Sequence, residues 1–163
     1  MKQLWAPWRM AYIQEGVKED GCIFCTKFRN ADPRAGLVLT HTAYTVVMLN
    51  KFPYNNGHLL LAPKRHENDL AQLPAEDFAD LNETLRRSIE IVREVFQPGG
   101  VNLGMNLGKC AGAGIEDHLH WHIVPRWEGD TNFMPVLGET RVMPQHLLDC
   151  YDRLQPLFQN LSA

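Results

Sequence analysis

The sequence predicts an α+β domain: an antiparallel sheet with one long helix and a C-terminal helix. Short runs rich in Val, Leu and Thr lie between turn residues, one long stretch has helical apolar spacing, and most strand connections are short turns. The 163 residues are close to the usual size of one domain, so a single domain over 1–163 is expected. Apolar residues make up 45% and charged residues 21%, a balance that argues against general disorder.

Each element has its own signal. Residues 15–36 are polar, carry Gly16, Gly21, Pro33 and Gly36, and read as a loop around Cys22 and Cys25. Leu37 to Asn50 is rich in Val, Thr, Tyr and Leu and reads as two strands with a break near His41-Thr42. Pro53 with Asn55-Asn56-Gly57 makes a turn, and His58 to Ala62 a third strand ended by Pro63. Over 74–96, Pro74 suits the first helical turn, and Phe78, Leu81, Leu85, Ile89, Val92 and Phe96 recur every three or four residues as one core-facing stripe. Pro98-Gly99-Gly100 stops that helix. Val101, Leu103, Met105 and Leu107 then alternate with Asn102, Gly104, Asn106 and Gly108, the pattern of a half-buried strand with two Asn on its polar face. A Gly/Ala loop, Cys110 to Gly114, leads to a strand over His118 to Val124. The last helix is expected to begin near Pro144, with Leu147, Leu148, Tyr151 and Leu154 inward and Pro156 kinking or ending it. Trp5 and Trp8 read as packing residues, His41 and His146 as surface residues, and Cys110 and Cys150 as buried thiols.

Charge and cysteine usage narrow the function classes. The formal net charge is −3 and no Lys/Arg run exceeds two residues, so no nucleic-acid polymer is expected as the main ligand, although small anionic ligands fit. No stretch approaches the ~18 apolar residues of a membrane span, so no membrane partner is expected. Pro7 and Arg9 interrupt any apolar run near Met1, which argues against a signal peptide. Four cysteines are too few for a disulfide scaffold at this length, so the thiols are read as reduced and the location as cytoplasmic.

The chemistry concentrates in His118-Leu119-His120-Trp121-His122-Ile123-Val124. On a strand the three imidazoles would share one face, about 6.7 Å apart at successive positions, with Leu119, Trp121 and Ile123 on the other. A purely structural role is disfavoured, because each buried imidazole would need a hydrogen-bond partner. Two functional readings compete. Imidazoles two residues apart can share a zinc ion. Alternatively, one neutral imidazole acts as a nucleophile, oriented by its neighbours. The Ala111-Gly112-Ala113-Gly114 loop favours phosphorus chemistry, since it can bring backbone N–H groups to anionic oxygens and stabilise charge during transfer. Cys22-Ile23-Phe24-Cys25 has the spacing that lets two thiolates reach one zinc, the competing readings being two reduced cysteines or a redox pair. Phe24 and Trp127 are each read as either a nucleobase platform or a packing aromatic.

The triad segment resembles the signature of the histidine-triad family, His-φ-His-φ-His-φ-φ with φ apolar. Leu49-Asn50, Gly57-His58-Leu59-Leu60, the helix over 74–96 and Asn106-Leu107-Gly108 follow in the family's order, so the resemblance covers roughly residues 20–130. Leu4-Trp5-Ala6-Pro7-Trp8-Arg9 and Pro125-Arg126-Trp127 with Gly129-Asp130 resemble the branch of dinucleoside polyphosphate hydrolases and diadenosine tetraphosphate phosphorylases. The resemblance implies a nucleotide-binding homodimer of the histidine-triad fold. Its enzymes transfer a nucleoside monophosphate to the middle histidine and then to water or phosphate. His120 would then be the nucleophile, His122 a contact to phosphate oxygens, and His118 an orienting residue or metal ligand. Asn50 would bind the ribose, His58 would sit beneath the nucleotide, and Asn106, Gly112 and Gly114 would lie near the phosphates. Asn106 replaces the Gln common in hydrolase relatives and, with Trp127, resembles the phosphorylase type. Zinc-containing relatives imply a tetrahedral site of Cys22, Cys25, His66 and His118. The leaving nucleotide needs a proton or a metal ion, and Mg2+ travelling with the substrate would serve. Nucleoside phosphoramidates are an alternative substrate class, and a nucleotide-binding signalling module with little turnover is an alternative role.

Overall fold

The computed structural model of the chain describes residues 21–28, 32–131, 143 and 145–161. The readings of Gly16, Trp5, Trp8 and the rest of the first twenty residues, and of Pro144, lie outside them. Five strands form one sheet in the order β1-β2-β3-β5-β4, every neighbouring pair antiparallel. β1 is Val38–His41, β2 Thr45–Leu49, β3 Leu59–Pro63, β4 Gly100–Met105 and β5 Trp121–Arg126. α1 (Ile23–Phe28) and α2 (Pro33–Gly36) precede the sheet, α3 (Ala75–Phe96) connects β3 to β4, and α4 (Leu147–Gln159) follows β5. Among the described residues no helix is long and apolar enough to cross a membrane.

β2 and β3 are buried at all ten positions because both sheet faces are covered there. Val47, Leu49, Leu59, Leu61 and Ile123 pack on α3 and α4 through Leu81, Val92, Leu154 and Phe158. The opposite face, with Val46, Met48, Leu60 and Ala62, is covered by Phe24 of α1. Burying each such side chain contributes roughly 1.5–3 kcal/mol. α1 and α2 stand where the sequence pattern reads as loop. Their brevity hides them: α2 is a single turn, started by the Asp32 side chain accepting from the Ala35 N–H and by Pro33.

The turn before β3 is fixed by a close approach. Gly57 has φ +71°, and a Cβ there would lie 2.6 Å from the Phe96 ring, so only glycine lets the turn pack on the end of α3. That contact sets where His58 enters the sheet.

Four expectations are corrected, and the alternative that Pro156 ends the last helix is removed. β5 begins at Trp121, so His118 and His120 lie before it. The β3 pairing stops at Leu61↔Trp121, the Leu119 N–H bonds Glu67 instead, and the Pro63 carbonyl takes the His118 ring N–H. β4 ends at Met105, short of Leu107. Only Val101 and Met105 of its apolar face pack on the core, because β4 is the sheet edge; Leu103 and Leu107 are 47% and 46% exposed. Phe78, expected in the core stripe of α3, is 43% exposed, since the buried face turns toward Asp77, Thr84, Ser88 and Ile91. Cys110 is exposed on the loop after β4, whereas Cys150 is buried and donates to the Asn56 side-chain carbonyl at 3.0 Å. Pro156 lies inside α4, which continues to Gln159. That helix buries Tyr151 and Leu154, with Leu147 and Leu148 against the core, as its sequence predicts.

Candidate active site and metal centre

Two triad histidines precede β5, the third lies within it, and the three side chains diverge. His118 turns toward α1, while His120 and His122 stay together with ring centroids 4.9 Å apart, closer than a regular strand would place them. Phe24 sits between the first two, its ring 5.1 Å from His118 and 5.0 Å from His120. It is 1% exposed and packs those imidazoles, with no open face for a base.

Backbone partners fix the tautomers. A carbonyl can only accept, so His120 carries its proton on Nδ1, which donates to the His118 carbonyl at 2.9 Å. Its Nε2 is therefore a lone pair. The Tyr54 backbone N–H donates to His58 Nδ1 at 3.0 Å, which places the His58 proton on Nε2. That N–H in turn donates to His122 Nδ1 at 2.9 Å, so His122 carries its own proton on Nε2. Asn50, just past β2, closes the chain: its side-chain amide lies 3.3 Å from His58 Nδ1 and its Oδ1 accepts from the Phe52 N–H. Burial disfavours the charged imidazoles. It lowers the His120 pKa below the ordinary value, and with the neighbouring His120 it pushes His122 down to about 4. At neutral pH the site thus offers a nitrogen lone pair on one ring beside an N–H donor on the next.

The loop after β4 contributes fewer donors than its composition predicts. The N–H groups of Ala111, Gly112 and Ala113 bond back to Gly108 and Lys109. Among the described residues those of Gly114 and Ile115 have no backbone acceptor, which makes them the candidate donors to an anion. Asn106 reaches the Gly112 carbonyl at 3.4 Å and so holds the loop beside the triad. Trp127 is half-buried directly after β5, its backbone N–H on Asp130.

Sequence spacing missed one group. Tyr54 stacks on His122, with centroids 5.6 Å apart and planes within 14°, while staying 52% exposed. Its signal is an aromatic inside a Pro/Asn/Gly turn, where packing gives no reason for one. Beside it a cavity of about 360 Å³ opens over β4 and β5, lined by Tyr54, Asn102, Asn106, His122, Arg126 and Asp130 among others. Trp127 does not line this cavity.

The Cys pair, His66 and His118 come together. His118 donates from Nε2 to the Pro63 carbonyl at 2.8 Å, which leaves Nδ1 as a lone pair 3.1 Å from Cys22 Sγ and 3.7 Å from Cys25 Sγ. His66 Nδ1 lies 3.4 Å from Cys25 Sγ. All four ligand atoms fall within 4.8 Å of one another. Ligands about 2.0–2.3 Å from a tetrahedral zinc lie about 3.3–3.8 Å apart, so this set fits one ion with little movement. α1 supplies the geometry: Cys22, just before the helix, accepts the Thr26 N–H on its carbonyl, and Cys25 lies three residues on, in the first turn.

A model of the HIT domain matches residues 31–129, more than half of the chain. This chain is a member of the HIT domain family. It is 36% identical over 156 residues to an AP-4-A phosphorylase of Mycobacterium tuberculosis, an alignment covering 91% of this chain and 80% of that protein. The HIT fold is shared with a histidine triad nucleotide-binding protein from Sulfolobus tokodaii at TM-score 0.68 and 24% identity, covering 86% of this chain and 93% of that one. A zinc-bound histidine triad protein from Mycobacterium smegmatis matches at TM-score 0.65 and 25% identity, covering 86% and 95%.

Proposed function

We propose that this HIT protein cleaves dinucleoside polyphosphates such as diadenosine tetraphosphate through a nucleotidyl-His120 intermediate. The observation that carries the reading is the His120 Nε2 lone pair beside the His122 Nε2–H donor, in a chain similar to an AP-4-A phosphorylase. His120 Nε2 attacks the α-phosphorus. A P–N bond forms as the P–O bond to the leaving nucleoside polyphosphate breaks, and that group departs with the electron pair. The His120 ring becomes cationic, and its Nδ1–H bond to the His118 carbonyl strengthens as it does so. His122 Nε2–H and the N–H groups of Gly114 and Ile115 donate to phosphoryl oxygens, where charge develops. An oxygen of inorganic phosphate or water then attacks phosphorus, the P–N bond breaks, and its electrons return to Nε2.

Asn50 takes the ribose hydroxyls and His58 holds His122 in its donor tautomer. Asn106, with Gly112, shapes the phosphate loop; Mg2+ bound to the substrate would supply charge neutralisation for the leaving group. Cys22, Cys25, His66 and His118 would hold a zinc ion, which would neutralise the two thiolates; the His118 carbonyl orients His120. The chain acts as a cytoplasmic homodimer, the exposed Phe78 and Leu107, which line one surface together just beyond β4, forming its contact. The relative's phosphorylase activity, with Asn106 and Trp127, supports phosphate as the acceptor. Product analysis with diadenosine tetraphosphate tests this. ADP plus ATP formed only with inorganic phosphate is expected. AMP plus ATP without it would make the protein a hydrolase, and no product in either condition would overturn the reading.

A further inference from the structure

We infer that the cavity between Tyr54 and the β4–β5 edge holds the sugar and base of the leaving nucleotide, the half of the substrate that His120 does not keep. The inference rests on the dinucleoside polyphosphate reading and adds a specificity site to it. His122 is the one triad histidine that lines the cavity. β5 lies between β3 and β4 in the sheet, so the two sides of this strand are distinct. Asn50 and His58 stand on the β3 side, and Asn102 and Gly104 of β4 on the other, with Gly104 directly opposite His122 in register. A substrate with its reacting phosphorus at His120 and His122 and one nucleoside toward Asn50 would direct its other end over β4.

The lining matches a nucleoside better than bare phosphate. About 360 Å³ is the low end of the range for small-molecule sites. The cation in the wall, Arg126, is already neutralised. Its Nε and Nη2 donate to both Asp130 oxygens at 2.6 and 2.9 Å, and its Nη1 donates to Asn102 Oδ1 at 2.9 Å. Asp130 also accepts from the Asn55 side chain at 2.7 Å and from the Trp127 N–H at 3.1 Å. This network uses the charge to hold the wall rigid, with the Asn102 amide and the half-exposed Tyr54 both in the cavity lining. Among the described residues the Asn102 amide NH2 has no partner while its carbonyl is pinned, which makes it a fixed donor for a base edge or a sugar hydroxyl. Tyr54, stacked on His122 and still half-exposed, supplies an aromatic surface next to the reacting centre.

The test compares two substrates that transfer the same adenylyl group. Diadenosine tetraphosphate has a nucleoside in its leaving group. Adenosine 5′-phosphorimidazolide has a small activated leaving group and needs only the adenylyl side. The ratio of their kcat/KM values is read in wild type, Asn102→Ala and Tyr54→Leu. The expected result is that each variant lowers the ratio about tenfold, the size of one lost hydrogen bond or stacking contact at the leaving nucleoside. An equal fall for both substrates would overturn the inference, because the residues would then act on the triad. An unchanged ratio would overturn it as well. Wild-type protein that cleaves neither substrate would remove the functional reading beneath it, an outcome separate from either of these.

Discussion

His58 is 0% exposed, its two ring nitrogens joining the Tyr54 backbone to His122, so replacing it with Phe tests the tautomer chain directly. The substitution keeps most of the volume but removes one acceptor and one donor. His122 Nδ1 is left without its donor inside the site, and the Tyr54 N–H without its acceptor. An orphaned buried polar group costs about 1–3 kcal/mol. In a domain of this size that lowers Tm by roughly 2–12 °C, at about 2–4 °C per kcal/mol. The same free energy, lost from the orientation of the His122 donor in the transition state, lowers kcat about 5- to 150-fold. Removing the donor altogether would cost more, so His122→Ala should fall below His58→Phe. His58→Gln separates orientation from packing: its side-chain carbonyl can accept from the Tyr54 N–H and its amide can donate to His122. Single-turnover rates with diadenosine tetraphosphate, measured beside thermal melts, give both quantities. The account expects a clear loss in His58→Phe and partial recovery in His58→Gln. A His58→Phe rate within twofold of wild type would refute the claim that His58 sets the His122 tautomer.

Three further outcomes follow from the geometry. Metal analysis should find about one zinc per chain. If free zinc stands about a hundredfold above its dissociation constant, a strong chelator should remove about 2.7 kcal/mol, or about 5–10 °C in Tm; protein without zinc and with an unchanged melt would contradict the site. Arg126, followed by the Trp127 and Asn55 N–H donors, holds the Asp130 carboxyl at about 2 against an ordinary 3.8. Its contribution is thus fully present above pH 3.8 and is lost as pH falls toward 2, so acid-unfolding curves of wild type and Asp130→Asn should converge only at that end. A stability gap that persists unchanged to pH 2 would rule this out. Leu107→Glu, on the exposed surface shared with Phe78, should shift the proposed dimer to monomer in sedimentation, and an unshifted dimer would place the interface elsewhere.

The sheet, the long helix and the last helix were legible because their signals are local: alternation or continuous apolar runs in strands, three-and-four spacing in α3. What failed was set by neighbours. His118 and His120 carry strand alternation in the sequence, yet the Pro63 carbonyl and the Glu67 carbonyl draw this segment off the ladder, so the spacing marked the His120–His122 pair but not its separation or the direction of His118. Phe78 belongs to the apolar stripe by spacing but faces outward, because the polar Asp77, Thr84 and Ser88 occupy the buried face and find partners or contacts there. α1 is too short for periodicity, and only its Cys-x-x-Cys pair marked it. The metal set was named from a resemblance, and the structure brings those four residues together. The tautomers and the Tyr54 stack depend on contacts between β3, β5 and the 53–57 turn, which spacing along the chain does not encode.

The central claim is that His120 Nε2 becomes covalently nucleotidylated. The direct measurement is to quench the protein with diadenosine tetraphosphate before the second step, at alkaline pH to preserve a phosphoramidate, and to locate the added adenylyl group by peptide mass spectrometry. The account predicts the group on His120, chased to ADP by inorganic phosphate, and absent from a folded His120→Ala variant that no longer turns over. Turnover by His120→Ala at a near wild-type rate, or adenylylation of another residue that phosphate chases as fast as turnover, would contradict it.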